Sequence, residues 1–453
     1  MANHARNTAL RALYDIHKNG AYSNLALKAV LQNTALNTAD RRLVTELVHG
    51  VIRYQLHLDY LISQFSKVKH ISYWIQDILR MGLYQIFYLD RIPDSAAVSE
   101  SVQLARKYGG ARSAGFVNGL LRSAIRGKES IVYPKDELQK LCIQESFPLW
   151  IGERWYAEGG LDYAKSLMVA SNRKAPLTLR CNLIKTLPEL LIARLQDSNI
   201  KAAYLNIPAA PHISYAVTAS GISHIETLPA FVEGWFYIQD PGAMLVTEIL
   251  NPQPGETILD ICAAPGGKAT HIAEKMKNTG TVHAFDLYPH KCELIAQNAN
   301  RLGLSNIKPH AVDVTKGMES YYGQADRVLA DVPCSGLGVI RRKPDIKYTR
   351  RPEDIQLFAG QSLQILHQAA QCVKPGGILV FSTCTVEHVE NEAVIEKFLS
   401  SHSEFRLAPA ENMAYPNDGT IRLLPYIDGT DGFFIARMLR INWKKYGRKP
   451  LLR

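Results

Sequence analysis

Cysteine is scarce in this chain of 453 residues: there are seven, and no two stand as C-x-x-C. With no such pair and no histidines at ligand spacing beside them, the sequence offers no basis for a zinc site, and no metal is expected. No signal-like segment opens the chain, which argues for reduced thiols and a cytoplasmic protein. The chain lacks G-x-x-x-x-G-K-[ST], so nothing predicts a triphosphate cradle, and it lacks G-x-G-x-x-G, which argues against a dinucleotide. The first 140 or so residues hold little that reads as strand.

Between about 255 and 400, short β-rich runs alternate with helical stretches, the mark of a mostly parallel, doubly wound α/β domain. Thr257 to Cys262 reads as a buried first strand, followed by Ala263-Ala264-Pro265-Gly266-Gly267-Lys268 and a helix. A second strand, Thr281 to Asp286, ends in a carboxylate 20 residues after Gly266, and a third, Ile307 to Asp313, ends in another. Ligands of such sheets bind beyond the carboxyl ends of the strands. The small residues of the turn admit a ligand close to the backbone, Asp286 suits ribose hydroxyls, and Asp313 suits an adenine edge. The three strand ends describe an adenosine pocket, and a turn of this form favours S-adenosylmethionine. The turn alone is a weak signal, since Gly-Gly after a strand is often only a tight turn.

Two more strands end in cysteine: Asp331-Val332-Pro333-Cys334-Ser335-Gly336 and, 50 residues after Cys334, Ser382-Thr383-Cys384-Thr385. Cys142, Cys181, Cys292 and Cys372 read as small buried hydrophobes, and Cys262 as a packed thiol whose backbone lines the cofactor turn. Cys334 and Cys384 differ in converging on the ligand rim. Carbon 5 of cytosine is a poor nucleophile, and a thiolate added to carbon 6 makes it enamine-like, so that it can take a methyl group. Covalent catalysis thereby divides one hard step into easier ones. The carbon 5 proton must then leave and the thiol be expelled, and a second cysteine can assist. Asp331 suits the ring nitrogen and exocyclic amine, or else it only touches cofactor. The residues leave open which sulfur attacks.

These motifs, with Asp260 to Lys268 and Arg341-Arg342-Lys343-Pro344-Asp345-Ile346-Lys347, resemble bacterial ribosomal RNA cytosine-C5 methyltransferases of the RsmB (Sun/Fmu) type, within the NOL1/NOP2/Sun group. The resemblance implies a Rossmann-like class I methyltransferase domain in which Cys262, Ala263, Ala264, Pro265, Gly266, Gly267, Lys268, Asp286, Asp313 and Asp331 bind S-adenosylmethionine. It makes Cys384 the nucleophile and Cys334 the release-assisting thiol. The implied substrate is one cytosine of 16S ribosomal RNA, free or in an early assembly intermediate. Lys343 stands where Asn or His is more usual, and Gln239-Asp240-Pro241-Gly242-Ala243 is less Ser-rich than the common form.

Upstream, Leu43, Val44, Leu47, Val48, Val51 and Ile52, then Ile75, Ile78, Leu79, Leu83 and Ile86, then Val98, Val102 and Ala105 recur at helical spacing. Residues 1–150 hold 19 Lys plus Arg against 12 Asp plus Glu, or 19 − 12 = +7 of the chain's +10. A basic helical module suits phosphate. Ser101 to Ile125 resembles the NusB pattern, which implies an RNA-binding fold and ranks RNA above a membrane as partner. Three domains follow: an all-helical one at 1–144, a small α/β connecting subdomain at 145–235, and the methyltransferase domain at 236–453, read as a monomer. In the connecting subdomain, Pro176 to Leu183 reads as a strand and Leu187 to Leu195 as a helix, and Gly234 to Ile238 reads as a strand entering the methyltransferase domain.

Six basic residues and one acid between Arg341 and Arg351 suggest phosphate contact, through Arg341, Arg342, Lys343 and Lys347 among them, and the tail from Arg437 carries seven basic residues and no acid. The target cytosine must be unpaired or flipped, as in an RNA loop. Competing readings are methylation of another RNA such as tRNA, an amino-group methyltransferase, which would need no thiol, and a non-catalytic assembly factor, which would need neither thiols nor an intact cofactor turn.

Overall fold

Apolar residues repeating at three and four positions become six helices, Ala2–Asn19, Ser23–Gln32, Thr38–Arg53, Gln55–Phe65, Tyr73–Tyr88 and Asp94–Arg126, whose stripes meet in one core around Leu47, Val51, Ile78, Leu83 and Leu121. Mutual burial of these stripes is what stabilises helices of this length, which are marginal alone. Asp94–Arg126 is two arms meeting at Gly110, where φ is +76°. A β-carbon on Gly109 would fall 2.6 Å from Ser113 Oγ, so the Gly109-Gly110 pair permits the turn.

The computed structural model describes residues 2–68, 70–222 and 224–442. It separates into two units, one of residues 1–173 with 340–349, the other of 174–339 with 350 onward. The division falls after the helix Leu149–Asn172, which packs on Glu137–Gln144 and is grouped with the helical unit.

The second unit carries two sheets. β1 (Leu177–Cys181), β2 (Lys201–Tyr204), β3 (Ala216–Ser220) and β4 (Phe236–Ile238) form an antiparallel sheet in the order β2-β3-β1-β4. The large sheet holds β5 (Thr257–Ile261), β6 (Thr281–Asp286), β7 (Ile307–Ala311), β8 (Ala325–Asp331), β9 (Val373–Thr383), β10 (Phe405–Leu407), β11 (Thr420–Leu423) and β12 (Phe433–Arg440). Its order is β10-β12-β9-β8-β5-β6-β7, with β11 on β12. The five strands from β7 to β9 are parallel, and β12 runs antiparallel to β9. This is the expected doubly wound, Rossmann-like arrangement. Strand order reverses at β5, with β6 on one side and β8 on the other, so the switch-point crevice opens beyond the end of β5. The sheet buries both faces, Val246, Ile258, Ile272 and Val282 in one cluster and Leu259, Phe285, Leu366 and Phe381 in the other.

Among the described residues, no helix is long and apolar enough to cross a membrane. The basic tail divides. Arg437 and Arg440 lie in β12, donating to the carbonyls of Pro409 (3.0 Å) and Val373 (2.5 Å). Residues 443–453, with the other five basic side chains, lie outside the described residues.

Candidate active site

β5 ends at a sharp bend. Cys262 takes φ +69°, unusual for a residue with a side chain, and the next amide donates to the Phe285 carbonyl at 2.7 Å. The Ala264–Pro265 peptide is cis, Gly266 has φ +100°, and the helix Gly267–Lys275 begins. A β-carbon on Gly266 would lie 3.3 Å from Ile295 Cα, and one on Gly267 3.1 Å from the Tyr237 ring, so the turn has room for little more than backbone. Burial, reinforced by Asp331, Asp286 and Asp260, pushes the Cys262 thiol far above its ordinary range, so this sulfur packs inertly.

Asp260 is fully buried, and neither carboxylate oxygen has a hydrogen-bond partner among the described residues. Burial, with Asp331 and Asp286 adding to it and Lys268 opposing, raises it well above the usual carboxylate range. An orphaned carboxyl at a strand end is a costly group that a cationic ligand would satisfy. Asp286 accepts the Tyr288 amide at 3.3 Å and has Lys291 Nζ 3.6 Å away. Asp313 stands two residues past the end of β7, where its Oδ1 accepts both the Thr315 hydroxyl (2.6 Å) and amide (3.1 Å). These bonds, with Lys316, hold it below the usual carboxylate range. Asp260, Asp286 and the glycine turn fit an adenosyl ligand with an ammonium group; Asp313 is largely occupied by its own turn.

β8 and β9 pair with Asp331 opposite Ser382, so the segments after them leave the sheet side by side. The sulfurs of Cys334 and Cys384 lie 3.3 Å apart. The hydrogen bond with Cys384, then burial, then the charges on Cys384 and Glu390 push the Cys334 thiol well above its ordinary value, so Cys334 keeps its proton. Asp331 accepts Lys268 Nζ at 2.7 Å on one oxygen and the Ser382 hydroxyl at 2.7 Å on the other. Burial opposes the charge on Lys268, yet Asp331, Cys384 and Asp260 hold its ammonium above the ordinary value. Because charge interactions are reciprocal, Lys268 favours a thiolate at Cys384. The pair therefore comprises one protonated thiol and one sulfur in a cation's field.

Comparison with known proteins shows the family. Residues 247–439 match the family description "16S rRNA methyltransferase RsmB/F", residues 3–126 the NusB family, and residues 147–217 the ferredoxin-like domain of RsmF/B-like methyltransferases. A probable ribosomal RNA small subunit methyltransferase B of Bacillus subtilis is 40% identical over 96% of this chain and 98% of its own length. The chain belongs to the RsmB/F methyltransferase family. A second relative, ribosomal RNA small subunit methyltransferase B of Serratia proteamaculans, is 33% identical over 91% of this chain and 93% of its own length. The crystal structure of PH0851 superposes with a TM-score of 0.80 at 27% identity, over 95% of this chain and 98% of that one. A methyltransferase homologue from Pyrococcus horikoshii has a TM-score of 0.59 at 26% identity, over 68% of this chain and all of its own.

In this RsmB/F member the basic segment is not what its charge suggests. Residues 340–349 belong to the helical unit. Lys347 is fully buried there, donating to the Arg53 carbonyl (2.7 Å) and the Asn172 side chain (3.3 Å), with Nζ 4.3 Å from the Phe147 ring centroid. Burial, then Arg53, lowers its ammonium well below the ordinary value. Arg341 is also buried, Arg342 is half-buried and Lys343 is exposed. Against the expectation of phosphate contact, Lys347 presents no charge at the surface of this structure and Arg341 little.

Sequence reasoning missed two further groups. Arg180 on β1, fully buried, forks onto Glu274 (2.8 and 3.0 Å), the Thr270 hydroxyl (3.0 Å), the Gly267 carbonyl (2.8 Å) and Gln239, fastening the small sheet to the cofactor-turn helix. Glu390 and Asn391 brace the cysteine loops. No local pattern flags either group, since the partners of Arg180 lie 59 to 94 residues away. Among the described residues, no cluster of His, Cys, Asp or Glu is placed to hold a metal.

Proposed function

We propose that this RsmB/F methyltransferase uses S-adenosylmethionine to methylate carbon 5 of one unpaired cytosine in 16S ribosomal RNA through a covalent adduct to Cys384. The observation that carries the reading is the pair of sulfurs 3.3 Å apart at the strand ends beside Lys268 and Asp331. An exocyclic-amine methyltransferase needs neither sulfur, and a binding protein needs neither sulfur nor Lys268.

Asp260, Asp286 and residues 262–268 hold the cofactor, with Asp313 at the rim. S-adenosylmethionine supplies the sulfonium-bound methyl group that carbon 5 takes. Cys384, as thiolate in the field of Lys268, adds to carbon 6 and passes the ring's electrons toward carbon 5. In this reading Lys268 and Asp331 hold the ring's polar edge and keep N3 protonated as the sulfur adds. Once carbon 5 carries its methyl, water takes its proton, the electron pair of that carbon–hydrogen bond re-forms the double bond to carbon 6, and Cys384 departs as a thiolate hydrogen-bonded by the protonated Cys334 thiol. Exposed Lys343, with Arg342, contacts phosphate.

The test is methyl transfer from labelled S-adenosylmethionine to unmodified, protein-free 16S ribosomal RNA, digested to nucleosides. Label in 5-methylcytidine at about one per RNA is expected, since a flipped-base pocket reads one site. Label in another nucleoside overturns the covalent mechanism. The same assay with tRNA separates the substrates.

A further inference from the structure

Glu390 is a fully buried carboxylate with no part in the chemistry above, yet it touches both cysteine loops. Its Oε2 accepts the backbone amide of Ser335, the residue after Cys334, at 2.7 Å. Its Oε1 accepts the hydroxyl of Thr385, the residue after Cys384, at 3.4 Å. The Ser335 and Thr385 hydroxyls meet each other at 2.9 Å, and all three residues are fully buried. Asn391 completes the brace, donating to the Thr385 carbonyl at 3.1 Å and accepting from Thr383 at 2.6 Å. On the outer side, Arg350 Nε donates to the Ser335 carbonyl at 2.8 Å and the Gly338 amide to the Cys384 carbonyl at 3.0 Å.

Beyond paired strands, a loop's position depends on such cross-links. β8 and β9 fix Asp331 against Ser382, but Cys334 lies three residues past the one and Cys384 two past the other. A single carboxylate bound to the residue following each sulfur sets the register of the two tips. Burying it is expensive unless its acceptors are used, and both are.

We propose that Glu390 is the positioning residue for the two-thiol reaction: by holding Ser335 and Thr385 at once, it sets the approach of the Cys334 sulfur to the Cys384 sulfur. The proposal rests on the covalent reading above for its consequence in turnover, but the geometry it asserts can be read without turnover.

The experiment treats the full-length protein with oxidised glutathione and follows the Cys334–Cys384 disulfide by peptide mass. Two thiol–disulfide exchanges form one protein disulfide and release two reduced glutathiones, and the rate reports how closely the sulfurs approach. Glu390→Ala is expected to slow this by at least about tenfold and to lower kcat by about 100-fold, the scale for reacting groups displaced by about 1 Å. KM for S-adenosylmethionine should stay unchanged. Glu390→Gln, which keeps an acceptor for the Ser335 amide, is expected to recover most of the cross-linking rate. Wild-type cross-linking and kcat in Glu390→Ala would overturn the proposal. Should that variant not fold, Thr385→Val decides: slower cross-linking with unchanged cofactor binding supports the brace, and unchanged cross-linking and turnover refute it. Failure of the wild type to make 5-methylcytidine would sink the covalent reading and leave the cross-linking result to judge Glu390.

Discussion

Lys268 in the cofactor turn and Lys347 in the basic segment are the same residue type in two recognisable motifs, and the fold gives them opposite fates. Lys268 meets the Asp331 carboxylate and stays charged; Lys347 bonds a carbonyl and an amide oxygen beside an aromatic face, with the Glu145 charge too weak to offset its burial, and is driven toward the neutral form. The first cation can act on chemistry. The second fastens residues 340–349 to the helical unit through its stem and hydrogen bonds. A lysine's partner, more than its burial, decides whether its charge survives.

The sharpest way to break this contrast is to remove what Lys268 serves. Cys384→Ala is expected to lower methyl transfer by at least about 1000-fold while retaining cofactor binding. Cys334→Ala should accumulate a covalent protein–RNA adduct on a denaturing gel, and an adduct in the Cys384 variant instead would reverse the two roles. Lys268→Met comes next, at about 100-fold or more in transfer, the scale of losing one pre-placed charge. The alkylation of Cys384 should shift to higher pH in that variant. An unmoved alkylation profile would mean that the ammonium does not act on the sulfur.

Lys347 is expected to show its effect in stability instead. Lys347→Ala leaves a cavity against Phe147 and should cost the helical unit about 2–4 kcal/mol. Lys347→Met keeps the stem and should fall within about 1 kcal/mol of wild type, or be more stable. The pH dependence has a definite sign. A lysine whose folded pKa is depressed contributes stability above its unfolded value, about 10.4, and loses it as pH falls toward the folded value. Melting curves should therefore favour Lys347→Met over wild type more at pH 7 than at pH 10. A difference independent of pH would show that the buried amine keeps its proton.

Glu390 offers a second pH test. Burial first, then Glu387, raise its carboxyl to about 7, against the hydrogen bonds from Ser335 and Thr385. Cys334 is the other titrating group it influences. Its folded pKa exceeds the unfolded one, so the folded chain holds the extra proton and stability declines as pH rises from about 4.5 to about 7. That decline is on the order of 3 kcal/mol and should be absent in Glu390→Gln.

Why some of this was legible in sequence and some not follows from range. Strand ends announce themselves locally: apolar runs stop at the Cys262 turn, at Asp286 and at Asp331, and a parallel sheet carries those ends to one rim whatever the intervening helices do. The two cysteines could be paired on that argument alone. β2, β3 and β10 through β12 were harder, because they pair antiparallel and have no glycine-turn motif beside them. Glu390 lies in a polar stretch, and its meaning comes from an amide 55 residues away. The basic run misled for a related reason. Six positive charges in eleven residues describe composition, whereas the grouping of residues 340–349 with the helical unit and the burial of Lys347 are tertiary facts.

The smallest predicted effect sharpens the contrast within that run. Lys343 is exposed and Lys347 buried four residues later, so only the first can neutralise a phosphate. Lys343→Ala should weaken RNA binding by about threefold to tenfold and lower the slope of log K against log salt by about one, with unfolding unchanged. Lys347→Met should do neither. Each phosphate contact releases counterions, so the slope counts contacts where affinity alone would mix them with folding. An equal change of slope in both variants would mean that Lys347 leaves the core when RNA binds, and an unchanged slope in both would move the phosphate contacts off this segment.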